Sequence, residues 1–161
     1  MSATVELRVI EQGDDAFVED AWALKEAIRR EEGVLRQRRG FFTDAYTRSR
    51  SVALIERTLD DERLVGFASV RRDGYILFLA VAPDERGDGH GKRLVAAVAE
   101  EYGTVTCHAR TSNQNALDFY RNIGFETVRT IENYYEDYGD AYYLRLGEDS
   151  FTEKLSRFFR R

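Results

Sequence analysis

The stretch that most limits what this chain can fold into runs from Tyr75 to Leu94. An unbroken apolar run, Tyr75 to Ala82, stops at Pro83, and glycines at 87, 89 and 91 then precede a helical pattern. An apolar run closed off by proline reads as a strand buried on both faces. Glycines without a Cβ let neighbouring peptide N–H groups point the same way. A helix that starts right after them adds the positive end of its dipole at that spot. Strand, turn and helix N-terminus in this order make a seat for an anion, most often a phosphate.

Two common phosphate loops fail against it. The first glycine of a Walker A loop would fall at Arg86 and its Ser or Thr at Arg93. A dinucleotide fingerprint needs a third glycine or alanine, and neither Lys92 nor Leu94 supplies one. What fits is Arg-x-x-Gly-x-Gly, at Arg86, Gly89 and Gly91.

Composition narrows the rest. One domain over residues 1–161 is expected, large enough to bury about two-thirds of its unfolded surface. The net charge of −5 argues against a general nucleic-acid binder. Positive charge is nearly all arginine, the lysines being Lys25, Lys92 and Lys154. No long apolar span or charged-then-apolar leader is visible, so no membrane partner is expected. The single cysteine, Cys107, cannot form an internal disulfide, which suits a cytoplasmic setting.

Along the chain, Thr4 to Ile10 alternates as a first strand. Asp14 or Asp15 can cap a helix to about Arg30, with Phe17, Ala21, Leu24 and Ile28 at helical spacing. Glu31 to Arg50 is polar and arginine-rich, readable as a second helix from Thr43 or as a loop over the site. Val52–Arg57 and Leu64–Arg71 read as strands, and Asp73-Gly74 turns the chain into the Tyr75 strand, completing an antiparallel meander. A helix from Gly89 to Tyr102 buries Leu94, Val95, Val98 and Ala99, and Gly103 ends it. Thr104 to Arg110 follows as a strand, so this strand–helix–strand unit makes its two strands parallel neighbours. Asn113 caps a helix ending at Ile123-Gly124. Thr127–Tyr134 and Ala141–Leu146 form a closing antiparallel pair. An amphipathic helix is expected at about 150–161. The expected fold is α/β: a single mixed, largely antiparallel sheet of about seven strands, with a parallel central pair and helices on both faces.

A second motif lies after that parallel strand. Asn113, Ala116, Tyr120, Gly124 and Phe125 form Asn-x-x-Ala-x-x-x-Tyr-x-x-x-Gly-Phe without a gap. With Arg86-x-x-Gly89-x-Gly91 ahead of it, the region from about Leu64 to Leu146 resembles the GCN5-related N-acetyltransferases. The N-terminal third matches only in element pattern. Within that family, Asn133-Tyr134-Tyr135 followed by Gly139-Asp140-Ala141 is similar to the ending of protein N-terminal acetyltransferases. His108 with Tyr75 is similar to the San-type members, whereas the bacterial ribosomal-protein alanine enzymes carry a glutamate at the histidine's place.

The resemblance implies acetyl-CoA as cosubstrate and no metal. It places the diphosphate on Arg86, Gly87, Asp88, Gly89, His90, Gly91 and Lys92, with Asn113, Asn115 and Tyr120 also at the cofactor. Main-chain N–H groups near Leu79, Ala80 and Val81 would steady the oxyanion, and Tyr120 would protonate the leaving thiolate. Tyr134 and Tyr135 would wall the acceptor entrance. Phe41 and Phe42, in the segment where the family's peptide clamp lies, are candidate substrate contacts, although that segment lacks the clamp's proline.

Independent chemistry supports the histidine. Strand alternation puts Tyr75, Leu77, Leu79 and Val81 on one face, and Thr106, His108 and Arg110 on one face of the next strand. On neighbouring strands, Tyr75 and His108 can hold a water between them, while Cys107 faces away. Imidazole, with an ordinary pKa of about 6.5, suits proton removal from an amine near neutral pH. The acceptor is expected to be a peptide or protein N-terminus, or alternatively a small-molecule amine; a non-catalytic acetyl-CoA-binding module is the third reading. Either a monomer or a homodimer is compatible with the sequence.

Overall fold

A computed structural model describes residues 4–147. Strands β1 (Thr4–Ile10), β2 (Arg50–Arg57), β3 (Glu62–Val70) and β4 (Ile76–Val81) form an antiparallel meander in that spatial order. Strands β5 (Val105–Arg110), β6 (Glu126–Ile131) and β7 (Ala141–Leu146) form a second antiparallel sheet, ordered β5-β7-β6. Helices α1 (Val18–Glu32) and α2 (Arg39–Arg48) connect β1 to β2. Helix α3 (His90–Tyr102) lies between β4 and β5, and α4 (Gln114–Ile123) between β5 and β6.

Both faces of β2 and β3 are buried, which is why these strands lack a polar alternation. Ala53, Ile55, Phe67 and Phe78 pack towards α1 and α2, around Phe42 and Tyr46. Val52, Leu54, Val65 and Ala68 pack towards Leu94, Val95 and Val98 of α3. Helices on both faces are therefore what the residues produce.

The expectation of a single sheet is corrected. The link between the sheets is a parallel bridge from Tyr75 to Thr106, where the Thr106 N–H donates to the Gly74 carbonyl at 3.1 Å. The cause of the divergence is a bulge: β3 pairs Ser69 with Phe78 and Val70 with Ile76, leaving Leu77 without an opposite residue. A bulge bends and twists its strand, and here it turns β4 away from β5.

The same extra residue breaks the side-chain alternation. Ile76 packs in the α3-side core, whereas Leu77 and Phe78 pack in the α1/α2-side core, and Leu79 and Val81 return to the α3 side. Tyr75 and Leu77 thus do not share a face with Leu79 and Val81, contrary to strict alternation.

Other boundaries shift for local reasons. Helix α1 starts at Val18, after Phe17 in a left-handed conformation (φ 63°) with no side-chain cap. Asp14 instead accepts from the Ala16 N–H at 2.9 Å, closing the turn that precedes the helix. Helix α2 begins at Arg39, earlier than Thr43. The loop before it is pinned from beneath by Lys25. This lysine is fully buried, its ammonium donates to the Gln37 carbonyl, and it lies 4.7 Å from the Trp22 ring centroid. Burial lowers the Lys25 pKa. The helix expected at about 150–161 lies outside the described residues.

Gly74 is the position where the joint between the sheets admits no side chain. Its φ is +81°, and an added Cβ would stand 2.3 Å from the Thr104 carbonyl oxygen. Gly74→Ala is expected to cost at least about 2 kcal/mol, from the left-handed conformation and the backbone overlap together. Urea unfolding should show a lower midpoint, and an unchanged midpoint would contradict this account of the joint.

Candidate active site

The divergence of β4 from β5 leaves main-chain groups facing a gap. The Ala82 N–H donates to the Val65 carbonyl at 2.8 Å on the β3 side, and the Ala80 carbonyl also points towards β3, at Gly66. Alternation along an antiparallel strand then turns the N–H groups of Leu79 and Val81 towards the gap. Ala80, expected with them, is corrected on this ground: its main chain belongs to the β3 ladder.

Across the gap stands His108. The Tyr75 hydroxyl lies 2.6 Å from His108 Nδ1, a direct hydrogen bond in place of the expected bridging water. The bridge at Tyr75 and Thr106 sets this contact, because His108 follows Thr106 by two residues on the same face of β5. The Tyr134 ring stacks on the imidazole, with centroids 4.3 Å apart and 15° between planes. Tyr143, its cross-strand partner on β7, lies 5.0 Å away. Burial first, then the positive charges of Arg129 and Arg71, push the His108 pKa below its ordinary value. The imidazole is therefore biased towards its neutral, proton-accepting form at pH 7.

Tyr120 enters from α4. It is almost fully buried, flanked by Phe119 and Phe125, in the same core cluster as Cys107. Burial raises the Tyr120 pKa well above the usual tyrosine value and pushes the Cys107 thiol up to about 12. Cys107 faces the core and His108 the cleft, as alternation anticipated.

The glycine-rich turn follows β4 through a short 3-10 turn at Pro83–Glu85. Gly87 and Gly89 have φ of 94° and 81°, and Gly89 caps α3. The Arg93 N–H is taken by the Gly89 carbonyl at 3.0 Å. The N–H groups of His90 and Gly91 lie in the first turn of the helix, where N–H groups in general lack an intrahelical partner. Gly91 has a packing role as well: its Cβ would stand 2.8 Å from the Phe119 ring. Arg86 points elsewhere. Its guanidinium is bidentate to Glu32 at the end of α1, at 2.8 and 2.9 Å, and its Nε donates to the Val81 carbonyl at 3.3 Å. Its side chain thus ties the loop to α1. Asp88 is exposed on the turn.

The remaining expected residues divide. Tyr134 and Tyr135 lie edge to face, centroids 5.0 Å apart, beside His108. Asn113 accepts from the Ala116 N–H at 3.2 Å as the N-cap of α4, and Asn115 is exposed on its first turn. Phe42 is corrected: it is fully buried, 4.6 Å from Phe78 and 5.8 Å from Trp22 by ring centroids, and works as a core residue. Phe41, one step round the helix, is 64 % exposed. Missed by sequence reasoning were Tyr143 and a set of arginines. Arg71, Arg110 and Arg129 lie over the rings of Tyr75, Tyr135 and Tyr143 at 4.4, 4.0 and 5.3 Å. Tyr143 could have been found by pairing β5 with β7; the arginines carry no local signal.

Two diverging sheets, joined at one end beside a glycine-rich helix N-terminus, define the N-acetyltransferase class of fold. NAA60 of Arabidopsis thaliana, solved with a bisubstrate analogue, is similar with a TM-score of 0.67 and 23 % identity, over 89 % of this chain and 97 % of that one. The acetyltransferase (GNAT) domain family matches residues 49–139, and the chain belongs to it. It is 35 % identical to the N-alpha-acetyltransferase RimI of Mycobacterium tuberculosis over 51 % of this chain and 58 % of that protein. It is 34 % identical to N-alpha-acetyltransferase 50 of Danio rerio over 44 % and 47 % respectively. The chain thus spans about half the length of these relatives. No helix among the described residues is long and apolar enough to cross a membrane.

The pKa direction can be measured without any substrate. The chain has two histidines, His90 and His108, so an NMR titration resolves them once one is substituted. His108 is expected to titrate below about 6.5, the ordinary value, and Arg129→Gln should raise its midpoint by removing a nearby positive charge. A midpoint above the ordinary value would show that burial and the arginines do not govern it.

Proposed function

We propose that the chain transfers the acetyl group of acetyl-CoA directly to the α-amino group of a peptide or protein N-terminus. The observation that carries this reading is the Tyr75–His108 pair, 2.6 Å apart, facing the outward N–H groups of β4 across a gap that opens beside the glycine turn. Relatives named N-alpha-acetyltransferases support the acceptor class, and the Arabidopsis NAA60 complex with acetyl-CoA supports the donor.

In this reading the diphosphate rests on the N–H groups at Gly87–Lys92, and the acyl arm runs into the gap. The amine nitrogen attacks the thioester carbonyl, and the Leu79 and Val81 N–H groups hold the developing oxyanion. His108 takes the proton that the nitrogen loses, with Tyr75 fixing the imidazole through Nδ1. The carbon–sulfur bond then breaks. A thiol titrates at about 8.5 and a tyrosine at about 10, and burial makes Tyr120 a still weaker acid. Its contribution is therefore a hydrogen bond that stabilises the leaving sulfur, the net proton coming from the attacking amine. This refines the expectation that Tyr120 is the proton donor.

Magnitudes favour an α-amine. With a pKa of about 7.7–8.0 it is roughly a tenth neutral at pH 7, whereas a lysine at about 10.4 is neutral about once in 2,500. A histidine of lowered pKa is a weak base, sufficient for the first and hard pressed by the second. The proposed setting is the cytoplasm, in keeping with a single, buried cysteine.

Acetyl-CoA should bind in calorimetry, and peptides with a free N-terminus should be acetylated faster than a panel of small amines. Turnover of the small amines alone would overturn the acceptor assignment, and binding without turnover on either panel would leave a non-catalytic module. Tyr120→Phe should lower kcat about 10²-fold, the scale of one lost transition-state hydrogen bond, with little change in acetyl-CoA affinity. Unchanged kcat at saturation would remove Tyr120 from the chemistry.

A further inference from the structure

Beside the proposed acceptor cleft, the chain has built a seat for a carboxylate and filled it with one of its own. Asp137, in the loop between β6 and β7, accepts from Arg110 Nη1 at 2.9 and 3.1 Å, from Arg36 Nη1 at 2.8 Å and from the Gly139 N–H at 3.1 Å. Arg110 is the fixed part. Its side chain is 16 % exposed, it lies 4.0 Å over the Tyr135 ring, and Gly139 makes room for it, since a Cβ there would stand 2.6 Å from Nη1. Arg36 is oriented by its Nε, which donates to the Gly33 carbonyl at 2.7 Å. The occupant is the loose part: the Asp137 side chain is 42 % exposed and that of Arg36 55 %.

The seat lies within peptide reach of the proposed base. Arg110 follows His108 by two residues on the same face of β5, a spacing of about 6.6 Å along a strand. An extended peptide advances about 3.3 Å per residue, so an acceptor whose amine meets His108 brings the side chain of its second or third residue to Arg110. Arg71 and Arg129, over Tyr75 and Tyr143, add positive potential on the other sides of the imidazole. Among the described residues Arg71 is paired with Asp73, whereas no carboxylate pairs with Arg129. A cleft of this charge, on a protein of net charge −5, discriminates against basic acceptors.

Resting on the transferase reading above, we propose that the site selects N-termini with an aspartate or glutamate at the second or third residue, whose carboxylate displaces Asp137 from Arg110 and Arg36. The β6–β7 loop then acts as its own placeholder, keeping the two guanidinium groups together until such an acceptor arrives.

The test uses peptide trios with Asp, Asn or Lys at the second residue and, in a parallel set, at the third, titrated calorimetrically into the CoA-loaded protein and assayed in parallel for CoA release. The Asp peptide should bind about fivefold more tightly than the Asn peptide, the scale of one partly exposed charge pair, and the Lys peptide most weakly. Asp137→Asn, which empties the seat of charge, should widen the Asp-to-Asn ratio, and Arg36→Gln, at an exposed position, should narrow it. Equal affinities in the unaltered protein, or a ratio indifferent to both substitutions, would overturn the proposal. Selective binding without acetylation supports the carboxylate seat and sinks the transferase reading. Equal acetylation of all the peptides does the reverse.

Discussion

The parallel bridge between Tyr75 and Thr106, in which the Thr106 N–H donates to the Gly74 carbonyl, holds β4 and β5 together at one end, and the bulge at Leu77 forces them apart beyond it. The open main-chain edge of β4 follows from that arrangement. A continuous parallel ladder would use the N–H groups of Leu79 and Val81, leaving nothing to meet a carbonyl oxygen. The bridge also sets the side chains: Tyr75 is its first member, and His108 lies two residues past the second. The joint thus closes the Tyr75–His108 contact and opens the gap opposite it.

Electrostatics around that gap come from aromatic rings as much as from ion pairs. His108 is enclosed by Tyr75, Tyr134 and Tyr143, which desolvate it, and guanidinium groups over Tyr75 and Tyr143 add positive potential. Both effects disfavour imidazolium, so the group is biased towards its neutral form without a carboxylate partner. Surface pairs elsewhere, such as Arg8 with Glu6 and Glu62 on the first sheet, are exposed and contribute little individually. The arginine-rich composition finds its use where guanidinium groups meet planar partners, over tyrosines and in the fork that Arg86 presents to Glu32.

Much of this was legible in the residues. The eight-residue apolar run and the glycines after it located β4, the turn and the start of α3. Asn113 and Gly124 bracketed α4 within a residue, because caps are local chemistry. Phe42 was not legible. Two adjacent phenylalanines on a polar helix look alike in sequence, and only the packing of α2 on β3 and β4 decides that Phe42 is buried while Phe41 faces water. Lys25 misleads in the same way: a lysine on an amphipathic helix reads as surface, yet here it is buried and holds the Gln37 carbonyl. The bulge at Leu77 was invisible because every residue around it is apolar, so no polar position marks the change of face.

The amino-acid sequence by itself determined the order of the elements, the glycine-rich helix N-terminus and the placing of Cys107 and His108 on opposite faces of one strand. Each follows from local periodicity or local capping, which a chain carries wherever it goes. Tertiary structure alone decided that the sheet parts in two, that Tyr75 touches His108 without a water, that Arg86 turns to Glu32, and that Arg36 and Arg110 meet over Asp137. Those contacts join residues as much as a hundred positions apart, and their geometry depends on how strands twist and helices pack, for which no short stretch of sequence holds a signature.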